Sequence, residues 1–105
     1  MSPLNILKAA RKLISDPKHW TTGVLARDKF GQNIYPTHSN AVCWCSLGAL
    51  THVANKDINN RRLASKALHD NLQELFLTHF NDSNIHATVL ALFDYTITQR
   101  EITTS

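Results

Sequence analysis

Ala41-Val42-Cys43-Trp44-Cys45-Ser46-Leu47-Gly48-Ala49-Leu50-Thr51-His52-Val53-Ala54 has polar side chains only at Ser46, Thr51 and His52. A helix with no polar face must be covered on most sides. The run therefore predicts the central helix of a small domain, about 41–54, with the rest of the chain packed around it. Gly48 costs a helix about 1 kcal/mol relative to Ala. Its place inside this run points to the close approach of another backbone.

On the N-terminal side, Ser2-Pro3 offers a hydroxyl N-cap followed by proline at the first helical position. Leu4, Leu7, Ala10, Leu13 and Ile14 then share one helical face, and Pro17 stops the helix near Ser15 or Asp16. Between this helix and the central one, Asp28-Lys29-Phe30-Gly31 has the composition of a hairpin loop. It predicts two short antiparallel strands, about 23–27 and 32–35, with Trp20 and Tyr35 as anchors and Pro36 as terminator. Thr37-His38-Ser39-Asn40 supplies capping side chains for the central helix.

Beyond Ala54, Asp57 is the expected N-cap of a further helix. Leu63, Ala64, Ala67, Leu68, Leu72, Leu75 and Phe76 keep helical spacing over 58–78. Arg61, Arg62 and Lys66 lie in the first half of this run and Asp70 and Glu74 in the second, against the helix dipole. A break near His69-Asp70-Asn71 into two shorter helices follows. His79 to Asn84 reads as a polar break, and Ile85, Val89, Leu92, Phe93 and Ile97 predict a last helix over about 84–100. Thr103-Thr104-Ser105 should fray. The expected fold is mainly α: one domain over 1–105, four to five helices around the 41–54 helix, and one small β-hairpin at about 23–35.

The 105 residues are 43% hydrophobic and 18% charged, which excludes a disordered chain. Lys8, Arg11 and Lys12 interrupt the first apolar positions, so no signal peptide is expected. No apolar run reaches the ~20 residues of a membrane span. Two cysteines one residue apart in a helix cannot bridge each other, and reduced thiols suit the cytoplasm. The net charge of +3 is unevenly spread: residues 1–66 hold ten Lys/Arg and three Asp/Glu, a balance of +7, and residues 67–105 hold one Arg and five acids, a balance of −4. Folding can mix such an asymmetry, or it can leave a basic face for an acidic partner.

Cys43 and Cys45 are the residues on which an enzyme would rest. A thiolate near a helix N-terminus is favoured by the dipole, and a histidine with Asn81 or Asp82 could complete a catalytic set. Core packing is the plainer reading, because cysteine is commonly buried as a small hydrophobe. A zinc site would need Cys43, Cys45, His38 and His52, but Cys-x-Cys within a helix points its thiols apart. No metal and no cofactor are therefore expected. Asn81-Asp82 could bind a ligand, or cap the last helix and pair with Arg27 of the hairpin, directly or through one shared backbone neighbour. Trp20 and Trp44 are expected in the core, and the six histidines are scattered.

Trp20, Ala26-Arg27-Asp28, Gly31, Cys45-Ser46-Leu47-Gly48-Ala49-Leu50 and Phe80-Asn81-Asp82 occur in an order that resembles a family of short uncharacterised bacterial and phage proteins. That family has a Trp after its first helix, a Cys-Ala-Leu-Gly-Ala-Leu helix and a Trp-Asn-Asp loop. Here Ser46 stands for the usual Ala and Phe80 for the usual Trp, and Ser83-Asn84-Ile85 replaces the common Gly-Arg-Thr. The resemblance implies this architecture and a phage or bacterial origin, and small phage proteins of this size often inhibit or adapt host machinery. The leading expectation is a cytoplasmic, non-enzymatic protein-binding module, a phage-encoded modulator of a host or defence complex. Its partner surface would draw on Lys8, Arg11, Lys12, Lys18, Arg61, Arg62 and Lys66. The alternatives are a cysteine-dependent enzyme using Cys43 or Cys45, and a binder of nucleic acid or an acidic partner through the same basic residues.

Overall fold

A computed structural model describes residues 1–72 and 76–104, the side chains of 103 and 104 excepted. Among these residues the chain forms five α-helices and one two-stranded antiparallel sheet. Helix α1 is Pro3–Leu13, with Ser2 capping the Asn5 amide. A single 3-10 turn, Pro17–His19, is capped by Asp16. Strands β1, Ala26–Arg27, and β2, Cys43–Trp44, precede α2, Ser46–Ala54, and α3, Ile58–His69, which Asp57 caps through the Asn60 amide. Helices α4, Leu77–Ser83, and α5, His86–Thr104, complete the fold.

Helix α1 packs on α2, α3 and α5, and α2 also packs on α3 and α4. Ile6, Leu7, Ala10 and Ile14 of the α1 segment are buried with Ala49 and Leu50 of α2, Ala64 and Leu68 of α3, and Val89 and Phe93 of α5. Leu50 is fully buried. Leu50→Ala should therefore cost about 2–5 kcal/mol in denaturant titration, and a loss under about 1 kcal/mol would remove α2 from the centre of the core.

Several boundaries differ from the sequence reading. The apolar run at 41–54 is divided: Ala41 and Val42 belong to no regular element, Cys43–Trp44 is a strand, Cys45 is the N-cap, and the helix starts at Ser46. Cys45 and Ala49 are buried, while Val42, ahead of the helix, is exposed. The loop at 28–31 forms as expected. Asp28 accepts from the Phe30 and Gln32 amides, and Gly31 has φ +78°. However, β1 pairs with β2, with Ala26 opposite Trp44 and Arg27 opposite Cys43. The 32–35 segment contributes only the bridge between Arg27 and Asn33. The two segments lie on opposite edges of β1: Ile34 donates to the Ala26 carbonyl, and Val42 and Cys45 donate to those of Arg27 and Leu25. Trp44 on the second edge is buried and donates its indole N–H to the Pro36 carbonyl at 2.9 Å. Tyr35, expected as an anchor, is exposed.

The break after His69 is present: α3 ends there, and the Asn71 and Leu72 amides close a turn on the Leu68 and His69 carbonyls. Glu74 and Leu75, which the periodicity places on the same run, lie outside the described residues. The expected polar break at 79–84 is largely helical instead, because Leu77 and Asn81 share the buried face of α4. The last helix begins two residues later than expected and runs through Thr104. Ser105 lies outside the described residues. No helix among the described residues is long and apolar enough to cross a membrane.

Candidate functional site

The polar motif residues converge at the junction of α2, α4 and the segment before β1. Asn81 is fully buried. Its Oδ1 accepts from Trp20 Nε1 at 2.8 Å, Ser46 Oγ at 2.8 Å and the Ser46 amide at 3.0 Å. An amide oxygen has two lone pairs, so the three donors share them. Its Nδ2 donates to the Thr21 carbonyl and to Asp82 Oδ1, both at 3.1 Å. Asn81 thus joins residues 35 and 61 positions away in the chain. It also satisfies one of the amides that a helix N-terminus leaves without an internal partner.

Arg27 and Asp82 form no direct pair. They hold opposite ends of one peptide group. Arg27 Nη2 donates to the Thr22 carbonyl at 3.0 Å, and the adjoining Gly23 amide donates to Asp82 Oδ1 at 3.0 Å. Arg27 also donates to Thr21 Oγ1 and to the Gly31 carbonyl, so it closes the loop on both sides. The expected contact through a shared backbone neighbour is present. The expected capping of the last helix is not, because Asn81 and Asp82 lie inside α4, before α5 begins.

The thiols are placed differently from each other. Cys43 is in β2 and half-buried, its Sγ 4.0 Å from the Arg27 carbonyl. Cys45 is buried, and its Sγ accepts from the Gly48 amide at 3.3 Å. Burial pushes the Cys45 thiol up and outweighs the opposing hydrogen bonds from the Gly48 and Leu47 backbone, and the Asp82 carboxylate adds a smaller push in the same direction. The helix N-terminus does reach Cys45 through the Gly48 amide, but burial outweighs it. A folded pKa above the unfolded one gives stability that is complete below the unfolded value and is lost as pH rises through the folded value. Native Cys45 should therefore resist alkylation at neutral pH and react fast after unfolding, as mass spectrometry of the labelled peptides would show. Rapid native labelling would restore it as a nucleophile.

A cleft of about 290 Å³ opens beside Cys45 and Asp82, lined also by Gly23, Val24, Leu25 and Thr78. No histidine lines it, and Asp82 Oδ1 is engaged by Gly23 and Asn81. The histidines at 52 and 86 have other tasks. His52 Nδ1 lies 2.7 Å from the Pro36 carbonyl and His86 Nε2 lies 2.6 Å from the Ile14 carbonyl. A carbonyl only accepts, so each of those nitrogens carries a proton. His38 caps the Asn40 amide. Among the described residues no group of three or more His, Cys, Asp or Glu side chains is placed to hold a metal ion.

The basic residues separate into three sets. Lys8 and Arg11 of α1 face the acids of α5, with Lys8 Nζ 3.7 Å from Glu101 and Arg11 Nε 2.9 Å from Asp94. Folding thereby brings part of the basic N-terminal charge against the acidic C-terminal charge. Lys12 and Lys18 are exposed, and neither lines the groove described next. Arg61, Arg62 and Lys66 stand together on α3 along a groove of about 510 Å³ between α2, α3 and the start of α4. Leu25, Leu47 and Leu77 line this groove, and the exposed rings of Tyr35 and Phe76 border it. Among the described residues no Asp or Glu lines it. Of these residues, the sequence reading singled out only the three cations as partner-binding. The groove's apolar lining comes from three separate segments that only the tertiary fold brings together.

No curated protein and no solved structure matches the chain. A family model does match, over residues 1–99, and the chain belongs to that family of unknown function, DUF6197.

Proposed function

We propose that the chain is a non-enzymatic protein-binding module that uses the groove between α2, α3 and α4. The observation that carries this reading is the groove itself: a leucine-lined depression of about 510 Å³ with two exposed rings at its border. Aromatic side chains beside an apolar depression are the usual anchors of protein interfaces. The motif residues that could have formed an active site support the same reading from the other side. Cys45, Ser46 and Asn81 are buried and bonded to one another's segments. In this reading the chain is a small modulator of a host or defence complex, of the kind phages encode, and it acts by occupying a partner's surface.

A photo-crosslinking residue at Ser65, which lines the groove, tests this directly. It should capture a discrete protein that the same group at Ser15, outside the groove, does not. The captured protein, once purified, should bind the wild type and lose binding to Ser65→Trp. Equal capture from both positions, or unchanged binding by Ser65→Trp, would contradict the proposal.

A further inference from the structure

The groove is charged on one wall. Arg61, Arg62 and Lys66 all come from α3, whereas Asp94 and Glu101 of the acidic third are on α5 against α1. Arg62 and Lys66 are both exposed. They are one helical turn apart, about 6 Å along the axis. Lys66 reaches Asp70 at 2.9 Å, but both side chains of that pair are well exposed, and such a pair holds a lysine only weakly. Arg61 extends to Thr51 Oγ1 at 3.4 Å across the groove.

We infer that the occupant is an acidic, amphipathic segment of a partner protein, a deduction that rests on reading the groove as a binding surface. Two carboxylates three or four residues apart on a partner helix repeat the spacing of Arg62 and Lys66. The intervening apolar side chain on the same face would then enter between Tyr35 and Phe76, above Leu25, Leu47 and Leu77. The leucine lining favours protein over nucleic acid. It matches an aliphatic or aromatic side chain and offers nothing to a sugar or a phosphate. Lys8 and Arg11, two of the cations that a long polyanion would recruit, already face carboxylates.

Selection of peptides from a displayed random library on the immobilised full chain tests the inference. Ser65→Trp and Thr78→Trp serve as two independent groove-filled controls. Enriched peptides should carry paired Asp or Glu three or four apart next to a large apolar residue. They should be lost with the groove-filled variants and bind Arg62→Glu/Lys66→Glu at least about tenfold more weakly, with a similar loss as salt rises through the range that screens exposed charges. Peptides lost with the filled groove but lacking acids, or indifferent to the charge reversal, would overturn the acidic-partner inference and leave the groove as a binding surface. Enriched peptides indifferent to both tryptophans, or no enrichment at all, would overturn both. A single-stranded oligonucleotide that displaces the selected peptides and binds more tightly than they do would overturn the inference in favour of nucleic acid.

Discussion

Replacing Asn81 with Ala should lower stability by about 3–5 kcal/mol, the range reached when a buried polar network loses its centre. Five hydrogen bonds go with the side chain, and Trp20 Nε1, the Ser46 amide, Ser46 Oγ and the Thr21 carbonyl lose a partner together. A domain of this size has only about 5–15 kcal/mol in total, so the variant should populate the unfolded state at low urea. Asn81→Asp should be no better tolerated, although its shape is the same. Its second oxygen would face the Thr21 carbonyl and the Asp82 carboxylate where Nδ2 now donates, and the charge would be buried. Urea titration by tryptophan fluorescence reads both variants. A loss under about 1 kcal/mol for Asn81→Ala would mean that water takes over the amide's role, and that the junction is not a sealed polar cluster.

Gly48→Ala is the second large effect, and its sign is opposite to what helix propensity alone gives. Alanine is favoured over glycine in a helix by about 1 kcal/mol. At this position a Cβ would overlap the Leu25 carbonyl oxygen and lie 2.8 Å from its carbon. That carbonyl cannot simply swing away, because it accepts the Cys45 amide at 3.1 Å and so fixes the start of α2 on the segment before β1. The backbone must shift, and overpacking of this kind costs about 1–3 kcal/mol, occasionally more. We expect Gly48→Ala to fall at the upper end of that range. Thermal unfolding at or above the wild-type midpoint would show that the contact is loose.

Gly48 was legible in the sequence because a glycine in an apolar helical run has few other uses. The caps at Ser2 and Asp57 and the Asp28–Gly31 loop were legible because each is local: the side chain and the amides it bonds lie within four residues. The start of α2 was not. Ala41-Val42-Cys43-Trp44 is apolar whether helical or extended, and short apolar runs do not reveal their period. Strand pairing with Ala26 and Arg27, and the bond from Trp44 to Pro36, decide it. For the same reason Cys43 fell on the wrong element. The α4 turn was hidden by its polar composition. His79, Asn81, Asp82 and Ser83 look like a loop until Asn81 finds Trp20 and Ser46, neither of which is near it in sequence. The division of the basic residues was equally hidden, since it depends on α5 lying along α1.

The central structural claim is that the residues resembling a catalytic set are joints, with Asn81 sealing the N-terminus of α2 and so fixing one side of the groove. Amide hydrogen exchange at Ser46 tests it most directly. First-turn amides of a helix normally lack a helical partner and exchange fast. The Ser46 amide instead meets the buried Asn81 oxygen at 3.0 Å. We expect it to exchange only through global unfolding, with the same free energy as the core amide of Leu50. Exchange at Ser46 through local opening, orders of magnitude faster than at Leu50, would contradict the claim.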